Sequence, residues 1–134
     1  MLALVPLLSI AENIYLGNEI TRNGLIDWPE TFRRTEGLLA KVGLQEPPTA
    51  KIESLGVGKQ QLVEIAKALA KKVKLLILDE PTSALDTELG EQVMELIRTE
   101  MKRRGTSAIV VTHDERITQY CDRSVHIIDG RLAA

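Results

Sequence analysis

The run Leu75-Leu76-Ile77-Leu78, followed at once by Asp79 and Glu80, constrains this chain more than any other stretch. Four consecutive large apolar residues read as a fully buried strand of a parallel sheet. In open α/β sheets, ligands bind just beyond the carboxyl ends of the strands, which is where Asp79 and Glu80 stand. A carboxylate there can hold the water shell of Mg2+, and its neighbour can aim or deprotonate an attacking water. Taken alone, the pattern equally describes a buried strand closing in a solvated acidic turn.

Two further segments bear on that choice. Upstream, Gly56 and Gly58 open a stretch in which Leu62, Ile65, Ala66 and Leu69 follow helical spacing. A glycine-opened helix start offers free backbone N–H groups and the positive end of the helix dipole, although a tight turn before an amphipathic helix has the same appearance. Downstream, Thr106-Ser107-Ala108-Ile109-Val110-Val111-Thr112-His113-Asp114 reads as a second buried strand that ends in a lone histidine. Three element ends with phosphate-type chemistry, in this order, are hard to obtain by chance.

Local signals supply the remaining elements. Ser9 and Asp27 each precede a glutamate by three residues, Glu12 and Glu30, in a capping-box pattern, and Pro29 sits early in the second helix. These helices are expected to end near Gly17 and Gly43, with Phe32, Leu39 and Val42 on the inner face of the second and Trp28 anchoring its start. Pro47-Pro48 breaks the chain. Beyond it the pattern gives a helix over 60–70, a strand over 74–79, a helix over 88–104, a strand over 107–112, a helix over 115–120 and a strand over 124–128. Such alternation signals a parallel sheet with crossover helices. Asp129-Gly130 marks a tight turn after the last strand, with His126 on that strand's outer face.

Composition fits one domain: 134 residues, 44% apolar and 27% charged, with a net charge of −2. Nothing in that balance points to nucleic acid, and Lys71-Lys72 and Lys102-Arg103-Arg104 read as solvated helix ends. No segment approaches the roughly 18 to 20 apolar residues that cross a bilayer, so no membrane insertion of its own is expected. The apolar opening Met1-Leu2-Ala3-Leu4-Val5-Pro6-Leu7-Leu8 lacks a basic flank and a cleavage-like site, and reads as an edge that packs on further polypeptide. A single cysteine, Cys121, excludes an internal disulfide, fits a reducing cytosol and reads as a small buried residue.

With these residues in view, the chain resembles the ATP-binding cassette (ABC) ATPases over nearly its whole length. Leu55-Gly56-Val57-Gly58-Lys59 is similar to that family's signature loop, Leu75 to Glu80 to the Walker B strand, Ser83 to Asp86 to the D-loop, and His113 to the switch histidine. The stretch Val57 to Leu69, and the opening Leu2 to Gly17, are especially similar to cassettes of bacterial monosaccharide importers for ribose, xylose and galactosides. The segment Ile109 to Gly130 looks more like cassettes of efflux or lipoprotein-release systems.

The resemblance implies an α/β, parallel-sheet, P-loop NTPase-like partial domain. Residues 1–70 would form a helical subdomain with the signature loop, and residues 71–134 the C-terminal part of the ATPase core. It implies ATP and Mg2+ as ligands. Asp79 would hold the metal, Glu80 and His113 would be catalytic, and Leu55, Gly56, Val57, Gly58, Lys59, Ser83 and Asp86 would contact nucleotide or couple two sites. The implied partners are a second cassette and a transmembrane permease, with the chain cytoplasmic and peripheral to the inner face of the membrane.

Two departures qualify this. The phosphate-cradling pattern G-x-x-x-x-G-K-[ST] occurs nowhere in the 134 residues. The usual signature serine is Gly56, which removes a hydroxyl contact to the γ-phosphate and leaves the amides of Val57 and Gly58. The resulting expectation is an ATP-hydrolysing transporter subunit for sugar import, present as a fragment. The alternatives are a non-catalytic module that pairs with an intact ATPase or permease, an efflux-type cassette, or a remnant that folds poorly.

Overall fold

The computed structural model describes residues 3–133. Helix α1 (Ile10–Tyr15) begins with a complete capping box: the Glu12 N–H donates to Ser9 Oγ at 3.2 Å and the Ser9 N–H to Glu12 Oε2 at 2.7 Å. A short hairpin, β1 (Thr21–Arg22) and β2 (Leu25–Ile26), leads into α2 (Trp28–Val42). Asp27 caps α2 through the Glu30 N–H at 3.1 Å, but the second capping box is only half formed. The Asp27 N–H donates to the Ile20 carbonyl, and the Glu30 carboxylate turns to Arg33 and Arg34 instead. Trp28 stacks on Phe32 with ring centroids 5.7 Å apart at the helix start. Gly43, at φ +74, ends α2 in the left-handed conformation that favours glycine.

Helix α3 (Val57–Ala70) starts three residues earlier than its apolar spacing indicated. Its face Leu62, Val63, Ala66 and Leu69 packs against Ile10 and Ile14 of α1 and Leu39 and Val42 of α2. Asn13 is fully buried among them and fully satisfied. Its Oδ1 accepts the Val5 N–H and its Nδ2 donates to the carbonyls of Val5 and Ser9, which pins the segment before α1.

Strand β3 (Leu75–Asp79) pairs in parallel with β4 (Ser107–Val111), from Leu75 opposite Ser107 to Asp79 opposite Val111. The crossover between them is α4 (Thr87–Arg104), capped by Asp86 and closed by Gly105 at φ +62 with three basic residues in its last turn. Neither strand is fully buried as its apolar run suggested. Leu76 and Leu78 face α4 and the core, whereas Leu75 and Ile77 of β3 and Ile109 and Val111 of β4 are exposed, Ile77 to 62%. The physical reason is that this sheet has two strands among the described residues, and only one of its faces carries helices.

The helix expected over 115–120 forms at Glu115–Tyr120 as a 3-10 helix that starts from the Asp114 cap. Two other expectations on the C-terminal side change. The strand expected over 124–128 shrinks to β5 (Ile127–Ile128) and pairs antiparallel with β6 (Arg131–Leu132) through the left-handed Asp129-Gly130 turn, outside the parallel sheet. His126 lies exposed just before β5. Cys121 is exposed, because the segment around it has no apolar layer to enter. Met1 and Leu2, the start of the apolar opening, fall outside the described residues. No described helix is long and apolar enough to cross a membrane.

A buried carboxylate ties the helical region to α4. Glu100 accepts Arg103 at 2.7 Å and Arg104 at 3.0 Å from its own helix, and Lys41 of α2 reaches it at 3.5 Å. The Arg103 hydrogen bond, partly opposed by burial, pulls the Glu100 carboxyl down to about 2.

Candidate functional site

The parallel register places the ends of β3 and β4 side by side, which brings residue 80 against residues 112 and 113. The Glu80 N–H extends the ladder to the Val111 carbonyl at 2.8 Å. Glu80 then takes φ +45, a left-handed conformation that is uncommon for a residue with a side chain and that clusters at functional sites. This turn breaks the strand alternation. The carboxylate meets the end of β4: Oε2 accepts the Thr112 hydroxyl at 3.0 Å, and Oε1 accepts the His113 N–H at 3.0 Å and stands 2.6 Å from His113 Nδ1. Partial desolvation pushes the Glu80 carboxyl up, but the combined hydrogen bonds from His113 and Thr112 outweigh it and hold the group below its ordinary value. It is therefore ionised at neutral pH, as a group that receives a proton must be.

Asp79 lies one residue earlier on the exposed face of β3, in line with Leu75 and Ile77. Among the described residues, no cluster of three or more His, Cys, Asp or Glu is suited to hold a metal. Mg2+ does not need one, since it is usually held by one or two carboxylates plus phosphate oxygens and water. An exposed carboxylate at a sheet end fits that donor set.

Leu55 to Lys59 divide by position. The Leu55 side chain is buried in the core, so only its backbone can meet a ligand. Gly56 is the N-cap of α3 and supplies no side-chain cap; a Cβ there would meet nothing within 4 Å. Val57, Gly58 and Lys59 form the first helical turn, whose N–H groups have no acceptor within the helix. Val57 is exposed, and Lys59 pairs with Glu46. At Gly58 a Cβ would lie 3.0 Å from the Ala84 carbonyl oxygen, so glycine permits α3 to lie directly on the loop after Glu80.

That loop runs Pro81 to Leu85. Ser83 donates its N–H to the Glu80 carbonyl at 3.3 Å, and its hydroxyl accepts Gln61 Nε2 at 3.1 Å. Asp86 caps α4 by accepting the Leu89 N–H at 2.8 Å. The structure thus brings Glu80, His113 and Ser83 into one hydrogen-bonded group. Among the described residues none of Leu55 to Lys59 touches the Glu80 carboxylate, and Asp86 is occupied at its helix end. Sequence reasoning missed two participants. Thr112 was visible only as the residue before His113, and Gln61 only as a polar position within a helical repeat.

A family model described as ABC transporter matches residues 2–83. The chain is similar to the L-arabinose transport ATP-binding protein AraG of Geobacillus stearothermophilus, with 55% identity over 131 residues that cover 97% of this chain and 25% of that protein. It is 46% identical, over 97% of its length and 26% of the relative's, to the xylose import ATP-binding protein XylG of Moorella thermoacetica. The chain therefore spans about a quarter of the length of these curated relatives. The arabinose match covers so much of the chain that the segment after Ile109 falls largely within it. Among solved structures, the ATP-binding cassette MJ0796, dimeric in a post-hydrolysis state bound to ADP and Pi, superposes with a TM-score of 0.87 at 31% identity, covering 99% of this chain and 58% of that one. The cassette cbiO1 of Clostridium perfringens, part of the cbiONQ transporter complex, gives 0.74 at 29% identity, covering 98% and 51%.

Proposed function

The chain belongs to the ABC transporter family and carries the fold of roughly half an ATPase cassette, and on that premise we propose that it is the hydrolytic and partner-facing portion of the ATP-driven subunit of a sugar importer. The observation that carries this reading is Glu80: an ionised carboxylate at the end of a parallel strand, set by a left-handed turn and held by Thr112 and His113. The identities to proteins named for L-arabinose transport and xylose import favour a pentose as cargo. In this reading residues 1–70 are the helical subdomain and residues 71–134 the ATPase core.

Glu80 accepts a proton or hydrogen bond from the water that attacks the γ-phosphate. In the present geometry its Oε1 is already engaged by two groups of His113 and its Oε2 by Thr112. Oε1 is thus saturated, while Oε2 keeps a second lone pair that can accept from the attacking water. A neutral His113 ring that donates Nδ1–H to Glu80 leaves Nε2 as an acceptor, so it meets a phosphate oxygen only when protonated or after the ring leaves Glu80. Mg2+, when bound, would neutralise phosphate charge, with Asp79 as the residue that holds it. The first-turn amides of Val57, Gly58 and Lys59 serve the nucleotide on a second cassette, and Asp86 steadies the loop between the two sites.

The phosphate cradle comes from polypeptide other than these 134 residues. The bare face of Leu75, Ile77, Ile109 and Val111 supports this, since contiguous exposed apolar surface marks a packing site. A permease would meet the helical side. There an apolar hollow of about 240 Å3 is lined by Tyr15, Leu16, Ile20, Ile26 and Trp28, with the carboxylates of Glu12 and Glu19 at hand for a basic partner residue. Docking there would keep the chain at the inner membrane surface. To test the reading, the chain is joined to the segment that precedes the matching region in the Geobacillus relative, and ATP hydrolysis is compared with that of the chain alone. The joined protein hydrolyses ATP and the chain alone does not. Turnover by the chain alone, or none by the joined protein, would refute the proposal.

A further inference from the structure

The loop after Glu80 is gripped from one side by a single residue. Gln61, on the second turn of α3, donates from Nε2 to the Glu80 carbonyl at 3.0 Å and to Ser83 Oγ at 3.1 Å, and its Oε1 accepts the Ala84 N–H at 2.8 Å. The amide orientation follows from its partners: reversed, it would set an NH2 group against the Ala84 N–H and a carbonyl against the Glu80 carbonyl. Three positions earlier on the same helical face, Gly58 lies against the Ala84 carbonyl so closely that a Cβ would stand at 3.0 Å. Helix and loop therefore meet along one line, with Gln61 as the polar clasp.

Glu80 needs such a clasp. Its left-handed backbone persists only where surrounding contacts determine it. The peptide before Glu80 is fixed by its N–H to Val111, and the peptide after it by the carbonyl contact with Gln61. With both peptides held, the Cα–Cβ direction is set, and the carboxylate falls between Thr112 and His113.

We propose that Gln61 is a positioning residue for hydrolysis, which fixes the left-handed turn at Glu80 and with it the aim of the Glu80 carboxylate. The role rests on the reading of Glu80 as the hydrolytic carboxylate. It also makes one rigid unit of the α3 first turn, Val57 to Lys59, and Glu80, so that a ligand drawn to that turn acts on the carboxylate through one side chain.

The test uses the joined cassette described above in four forms: unchanged, Glu80→Gln, Gln61→Ala and Gln61→Glu. Gln61→Glu keeps an acceptor for the Ala84 N–H but has no donor for the Glu80 carbonyl. Both Gln61 variants lower kcat by roughly 10- to 100-fold, the size expected of a misplacement of about 1 Å, with the KM for ATP within about twofold. Amide hydrogen exchange in Gln61→Ala rises at Ala84, whose N–H loses its Gln61 acceptor, and at His113, whose N–H is held by Glu80, and stays unchanged within α3 from Val63 to Leu69. Unchanged kcat in both variants, full activity in Gln61→Glu, or exchange that rises throughout α3 would overturn the role. A joined cassette without turnover, or Glu80→Gln at the unchanged rate, removes the hydrolytic reading itself and this role with it.

Discussion

The three-helix region of α1, α2 and α3 and the two-stranded sheet of β3 and β4 are built from similar apolar residues, yet they reach opposite states. In the first, Ile10, Val63 and Leu69 are at most 2% exposed and even the polar Asn13 is buried with its hydrogen bonds satisfied. In the second, Ile77 is 62% exposed and Val111 53%. Helical spacing gives each helix one apolar stripe, and three stripes can close on one another. A strand apolar at every position has two faces to cover, and α4 with its neighbours covers one. An uninterrupted apolar strand therefore states a demand for two layers, whether or not both lie in the same chain.

The contrast breaks most visibly through paired substitutions in the isolated chain. Leu69→Ala removes a side chain from the closed region and is expected to cost about 2–5 kcal/mol in urea unfolding. Ile77→Ser on the open face is expected to stay within about 0.5 kcal/mol. Equal losses would show that the sheet face is covered in solution.

The seam between the regions is sharpened by pH. Glu100 has its carboxyl lowered to about 2 by Arg103, so its contribution is fully present above about 4.5 and is lost as pH falls toward about 2. Acidification across that window should remove about 2 kcal/mol of stability, and Glu100→Gln should abolish that part of the pH dependence while weakening the fold at neutral pH. A smaller loss than that of Glu100 lies at a helix start. Ser9→Ala deletes one half of the complete capping box and should cost about 1 kcal/mol by thermal or urea unfolding.

These regions also differ in how much of them the sequence reveals. The starts and ends of α1, α2 and α4 were legible because caps, Gly43 and Gly105 act within a few residues of themselves. The burial of β3 and β4 was not, since it depends on a second layer that no local pattern contains. The same holds for Ile127-Ile128, which has strand-forming residues but finds its partner across the Asp129-Gly130 turn rather than in the parallel sheet. In the site, Asp79, Glu80 and His113 stood out by type and by their places at strand ends. That Glu80 and His113 meet at 2.6 Å follows from a parallel register that spans more than thirty positions, and Gln61 enters through a backbone contact that helical spacing does not specify.

The central claim is that Glu80, placed at the sheet end by its left-handed turn, is the group that activates water. It is tested most directly by ATP turnover of the joined cassette with Glu80 and with Glu80→Gln, alongside nucleotide binding in both. The account predicts that Glu80→Gln binds ATP with near-normal affinity and hydrolyses it at least about a hundredfold more slowly. Turnover within a few-fold of the unchanged cassette would contradict it.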